Sequence, residues 1–176
     1  ADPPAMTEPL PPSRLDRAAF LARFAGIWEH SPWIAEGAFD RGLTAAEDSA
    51  AGLHAAMTAV MRAADADQKV PRIRAHPDLA GRLAAAGRLT AESTGEQASA
   101  GLDRLSDAER AAFTALNAAY VARFGFPFIM AVKGRSKDEI RAAFERRIGH
   151  DRETELAEAL AQIERIALLR LTDLLP

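Results

Sequence analysis

The sequence predicts an all-α fold, a single-domain compact multi-helix bundle, on three observations. Alanine and leucine are abundant and β-branched runs are scarce, which favours helix over strand. Apolar residues recur at three- and four-residue spacing in one segment after another. Ser-x-x-Glu or Thr-x-x-Glu opens several of these segments, as capping boxes open helices. At 176 residues, 48% of them hydrophobic, the chain can bury a sizeable core without staples.

Residues 1–12 read as a disordered tail. The five residues Ala-Asp-Pro-Pro-Ala before Met6 look like an expression remnant and are set aside. Residues 13–176 form the domain. Ser13 is placed to cap a first helix with Phe20, Phe24 and Ile27 on one face. Ser31 and Pro32 start a short second helix, which Gly42 ends. Trp28 and Trp33, the two tryptophans of the chain, flank that start and read as anchors of a core or a subunit interface. Thr44 and Glu47 form a capping box for a helix bearing Leu53, Met57, Val60 and Met61, with His54 beside that stripe as a surface or helix-packing residue.

A short helix through Val70 and Ile73 leads to His76-Pro77. Another runs from Asp78 to about Ala86, stopped by Gly87. Ser93-x-x-Glu96 and Ser106-x-x-Glu109 are further capping boxes, and the second begins a long helix with Phe113, Leu116, Tyr120 and Phe124 on one side, closed by Gly125. Residues 126–132 are apolar, bounded by Pro127 and Gly134, and too short for a free-standing helix. The segment is expected to be extended or irregular and buried, so its backbone N–H and C=O groups need partners. Ser136 with Glu139 caps the next helix, and His150-Asp151 precedes a last one with Leu156, Leu160, Ile163, Ala167 and Leu174 on its apolar face.

Composition narrows the function classes. There is no cysteine, hence no disulfide and no thiol nucleophile, which fits a reducing compartment such as the cytoplasm. The net charge of −3 comes from interspersed acids and bases, with no footprint for nucleic acid or an anionic membrane. No apolar run approaches the roughly 18 residues that span a bilayer. Phosphate-loop, zinc-ligand and Ser-His-Asp elbow motifs are absent, and a lone His76-x-Asp78 is too little for a metal site.

Two residues stand out. His76 precedes a proline, which pushes its backbone out of the helical region and sets the ring at a helix mouth. It is either a turn-capping histidine or a titratable group facing a pocket. Arg170 falls on the apolar face of the last helix, where a guanidinium is costly unless it meets an anion. It snorkels, pairs internally with a carboxylate such as Glu96, or clamps a planar anionic ligand through two parallel hydrogen bonds.

Four islands complete the reading: Glu-His-Ser-Pro-Trp-Ile-Ala-Glu within residues 28–36, His-Pro-Asp-Leu-Ala-Gly at 76–81, Ser-x-x-Glu-Gln-x-x-Ala-Gly-Leu-Asp at 93–103, and Phe-Gly-Phe-Pro-Phe-Ile from Phe124. In this order they closely resemble the 2-oxo-4-hydroxy-4-carboxy-5-ureidoimidazoline (OHCU) decarboxylases of urate breakdown, over nearly the whole chain from about Leu15 to Leu174. The resemblance implies an all-helical, usually dimeric enzyme without metal or organic cofactor, which converts OHCU to (S)-allantoin and CO2 after urate oxidase and hydroxyisourate hydrolase have acted. It carries the catalytic histidine onto His76 and substrate contacts onto Pro77, Ser93, Glu96 and Gln97. Backbone contacts fall on Phe128, Ile129, Met130, Ala131 and Val132, and the arginine of the last helix falls on Arg170. His76, Glu96 and Arg170 are the expected catalytic set, and none of these positions departs from the family pattern. The competing readings are a non-catalytic helical module that binds a ureide, and a decarboxylase or lyase of a related cyclic ureide.

Overall fold

The computed structural model describes residues 9–64, 66–76 and 105–176. Among the described residues seven α-helices form and no strand does: α1 (Arg17–Phe24), α2 (Pro32–Asp40), α3 (Ala50–Ala63), α4 (Ala66–Ala75), α5 (Asp107–Phe124), α6 (Lys137–Arg147) and α7 (Arg152–Leu174). The helix expected over residues 78–86 and the Ser93–Glu96 box lie outside the described residues. No helix among those described is long and apolar enough to cross a membrane.

Local chemistry sets most of the boundaries. Ser106 with Glu109 and Ser136 with Glu139 make complete capping boxes at the starts of α5 and α6. Gly125 closes α5 at φ +77°, a left-handed conformation that suits a residue without Cβ. Two expectations need correction. Asp16, not Ser13, caps α1, accepting the Ala19 N–H at 2.8 Å. Ser13 instead donates through its N–H and Oγ to the two oxygens of Asp48. The Thr44–Glu47 box opens only a 3-10 turn, Ala45–Asp48, and Ser49 caps α3 itself. Pro71 sits inside α4, where it removes one ladder donor, yet the helix runs on to Ala75.

α3 is the hub. It packs against α2 and α7, while α1 packs against α2. Phe20, Phe24, Ile34, Leu53, Met57, Ile163 and Leu171 are fully or almost fully buried there. Each such side chain removed from water is worth about 1.5–3 kcal/mol. Trp28 belongs to this core, with Nε1 donating to Met57 Sδ at 3.2 Å, whereas Trp33 is only half-buried. His54 packs α3 on α7, its Nε2 2.8 Å from the Glu164 carbonyl oxygen. An aromatic cluster of Phe113, Tyr120, Phe124, Phe126, Phe128 and Phe144 joins α5, residues 126–132 and α6. As expected, residues 127–132 are non-helical, without turn or bend, and mostly buried. The inner face of α7 differs slightly from the periodic reading. Glu155, Ala159, Ile163, Ile166, Ala167, Arg170 and Leu171 are buried, while Leu156 and Leu160 are partly buried and Leu174 is exposed.

Candidate functional site

Arg170 is drawn into the core by the helix that carries it. It lies on the buried face of α7 and is only 2% exposed. Its Nη1 donates to the Ile27 carbonyl at 2.9 Å, and its Nη2 lies 3.4 Å from Glu29 Oε1, itself on a 2% exposed residue. The guanidinium is thus neither a snorkelling surface group nor an unsupported cation. It is a planar donor fixed in a dry interior, where polar interactions are stronger than in water.

Glu29 is the functional-site candidate that sequence reasoning passed over. It follows the buried pair Ile27 and Trp28 at the end of a 3-10 turn, and the chain then reverses through His30 at φ +58°. A left-handed non-glycine residue is uncommon, though histidine is among the residues enriched there. That turn directs the chain into Ser31 and α2. Ser31 occupies the cap position without a side-chain cap bond, and its N–H donates to the Trp28 carbonyl at 3.0 Å. The available signal was a charged residue directly after the apolar pair Ile27 and Trp28, which needs a counter-ion if it follows them inward.

His76 stands at the end of α4, its N–H bonded to the Ile73 carbonyl at 3.2 Å, and it is 2% exposed. A histidine this buried is not a solvated turn cap. Pro77, Ser93, Glu96 and Gln97 lie outside the described residues.

The apolar segment carrying Phe128, Ile129, Met130, Ala131 and Val132 has its backbone requirement partly met by two side chains. Arg147, at the end of α6, donates from Nη1 to the Ile129 carbonyl at 2.7 Å. Gln162, on α7, accepts the Ala131 N–H at 3.0 Å. Arg147 is 1% exposed and also covers the Phe128 ring, Cζ to centroid 4.3 Å. Its Nε donates to Glu155 Oε1 at 2.7 Å. Glu155 is fully buried and takes two further contacts, from Tyr120 Oη at 2.6 Å and His150 Nδ1 at 3.1 Å. Burial, reinforced by the Glu155 carboxylate, raises the Tyr120 pKa far above the ordinary tyrosine value, so the phenol stays a donor. This second buried ion-pair network was also missed. The same test that exposed Arg170 finds it, since Arg147 follows Ile140 and Phe144 on the apolar face of α6.

Among the described residues no three His, Cys, Asp or Glu side chains are grouped as metal ligands. The described residues supply a buried planar cation at Arg170, a buried imidazole at His76 and a braced backbone at residues 129–131, each of a kind suited to fixing a flat polar molecule with anionic character or moving a proton on it.

Comparison with known proteins points the same way. The OHCU decarboxylase family model matches residues 13–172. The chain is 42% identical over 161 residues to the OHCU decarboxylase of Haloferax volcanii, covering 92% of each protein. It is 38% identical to that of Mus musculus, covering 92% of this chain and 89% of the mouse protein. A uric acid degradation bifunctional protein of Bacillus subtilis is 39% identical over 93% of this chain, which spans 32% of that protein. Among solved structures, an (S)-allantoin synthase aligns with a TM-score of 0.71 at 32% identity, over 92% of this chain and 52% of its own. An OHCU decarboxylase crystallised in the presence of (S)-allantoin aligns at 0.65 and 21% identity over 82% of this chain, a likeness of fold.

Proposed function

The chain belongs to the OHCU decarboxylase family, and from that premise we propose how its residues divide the decarboxylation of OHCU to (S)-allantoin and CO2. It is a carboxy-lyase of urate degradation. The observation that carries the residue-level reading is the buried Arg170, oriented by the Ile27 carbonyl and Glu29 on the position that matches the family arginine.

In the substrate one ring carbon bears both the hydroxyl and the departing carboxylate, and its neighbour is an imine carbon. When the bond to the carboxylate breaks, CO2 leaves and the electron pair forms a double bond between the two ring carbons. The imine nitrogen takes up the displaced electrons and a proton. The resulting enol then returns its hydroxyl proton and gains one on the neighbouring carbon, which becomes the stereocentre. The substrate is its own electron sink, so the reading requires no metal or organic cofactor. Positioning, charge placement and proton transfer remain for the protein.

His76 acts in this reading as general acid/base at the hydroxyl and carboxylate region. Pro77 borders it, Glu96 and Gln97 fix ureido and ring N–H groups, and Ser93 adds a hydrogen bond. Arg170 balances anionic charge or holds a ring carbonyl oxygen, and Glu29 orients it. Phe128, Ile129, Met130, Ala131 and Val132 supply the backbone wall. Ile129 C=O and Ala131 N–H are engaged by Arg147 and Gln162, so the reading turns to the N–H and C=O of Met130 between them. That pair is the one assigned to the polar edge of the substrate. The family resemblance supports a homodimer, and the lack of cysteine supports a cytoplasmic setting.

The test is to generate OHCU in place from urate with the two preceding enzymes and follow circular dichroism. Rapid appearance of optically active allantoin is expected with the wild type and its loss with His76→Ala. Racemic product at the uncatalysed rate would move the function to another cyclic ureide or to binding alone. Sedimentation of the same sample reads the dimer.

A further inference from the structure

We propose that Arg147 and Gln162 are positioning residues, a two-point clamp that holds residues 128–132 from the side away from the substrate. The proposal rests on the assignment of that segment to the substrate wall. Neither residue belongs to the expected site, and each reaches the segment from a different helix, α6 and α7. Arg147 Nη1 takes the Ile129 carbonyl at 2.7 Å and Gln162 Oε1 takes the Ala131 N–H at 3.0 Å. The two bonds flank Met130 in the chain and restrain the peptide groups on both sides of it.

Each arm of the clamp is itself oriented. The Arg147 guanidinium is held by Glu155, which is aligned in turn by Tyr120 and His150. Its flat face rests on Phe128, whose ring stacks on Phe144 at 3.6 Å between centroids. One side chain therefore restrains a carbonyl and the ring of the preceding residue together. The Gln162 amide is oriented by its Nε2, which donates to Glu158 Oε1 at 3.1 Å, so the oxygen faces Ala131. A lysine at 147 would keep charge opposite Glu155 but lacks the fork and the plane. A purely structural ion pair would tolerate that exchange with a change in stability alone.

Three variants separate these roles. Arg147→Lys removes the fork. Gln162→Met removes the other arm without touching the buried ion pair, so the clamp stays testable should Arg147→Lys fold poorly. Val60→Ala, at the contact of α3 with α2, loosens the core without touching either arm or the Glu155 relay, and serves as the destabilised control. The readouts are kcat and KM on OHCU, melting temperature, and amide hydrogen exchange of Met130 and Ala131 in the substrate-free protein. Small misplacement of contact groups is costly, up to about 100-fold for roughly 1 Å. Arg147→Lys and Gln162→Met should each lower kcat/KM by about tenfold or more and speed exchange within residues 129–131 by a similar factor. Exchange in the middle of α3 should be unchanged. Val60→Ala should stay within about twofold of wild type in kcat/KM although its melting temperature falls. The clamp is overturned if the kinetic loss in all three variants follows melting temperature alone, or if exchange in the segment does not change. Should the wild type not turn over OHCU, the functional reading fails, and the exchange data still decide the clamp.

Discussion

Arg170 and Glu29 meet in the interior from positions 141 residues apart, Nη2 to Oε1 at 3.4 Å. The pair ties the 3-10 turn before α2 to the last helix and aims the guanidinium. Removing one partner of a buried ion pair is strongly destabilising, by about 3–5 kcal/mol. Glu29→Ala should therefore lower the unfolding free energy by roughly 3 kcal/mol. The same variant should raise KM, because Arg170 loses an orienting partner. Urea denaturation of the substrate-free protein together with steady-state kinetics checks both effects. Unchanged stability would mean that the pair is not a buried ion pair in solution.

The turn that presents Glu29 depends on the left-handed backbone of His30. Glycine adopts this conformation without steric cost, whereas a β-branched residue is strained by about 1–2 kcal/mol. His30→Gly should stay within about 0.5 kcal/mol of wild type, and His30→Val should lose about 1–2 kcal/mol. The imidazole is solvent-exposed, so the difference between the two variants isolates the backbone. Equal stabilities would show that the turn relaxes.

Acid stability is linked to Glu109, the capping-box residue of α5. Its hydrogen bond with Lys137 is the main cause that lowers its pKa from 4.5 to about 2, and the backbone N–H of Ser106 adds to it. A carboxylate with a depressed folded pKa binds fewer protons than in the unfolded chain. Its stabilising effect is present above 4.5, fades as pH falls below that value and is lost as pH passes through about 2. Glu109→Gln should flatten the acid limb of a urea-midpoint profile over that window. Because the pair is partly exposed, the difference between the profiles should shrink in 1 M salt, where screening extends only about 3 Å.

Much of this architecture was legible because helix boundaries are local chemistry. Ser106 with Glu109 and Ser136 with Glu139 mark α5 and α6 as read. The Thr44–Glu47 box misled because it satisfies the first turn whatever follows, and a 3-10 turn uses the same donors. Arg170 was legible because a guanidinium on an apolar face violates the helical pattern. Its partner was not, since Glu29 is joined to it only by the tertiary fold. Arg147 obeyed the same rule as Arg170 and was overlooked beside the polar residues of α6. Periodicity located the inner face of α7 but not its fine rotation. Glu155 turns to that face because its bonds with Tyr120 and Arg147 draw it inward, which leaves Leu156 and Leu160 only partly buried.

The contact of α2 with α3 gives the last test, because it sets helix propensity against close packing. Gly37 lies inside α2, and alanine there should gain up to about 1 kcal/mol of helix propensity. A Cβ at this position would stand 2.7 Å from Val60 Cγ1 on α3, well inside van der Waals contact. Valine is stiff at χ1, and Val60 is 7% exposed, so the methyl has little room to yield. Overpacking of this kind costs about 1–3 kcal/mol, which outweighs the propensity gain. Gly37→Ala should therefore destabilise by about 1 kcal/mol or more. Val60→Ala alone should also destabilise, through lost burial. In the double variant the removed methyls make room for the new Cβ, so the total loss should be smaller than the sum of the single losses by about 1 kcal/mol. Chemical denaturation of all four proteins reads this coupling. Strict additivity would mean that α2 and α3 separate to admit the methyl, with the glycine serving no close approach.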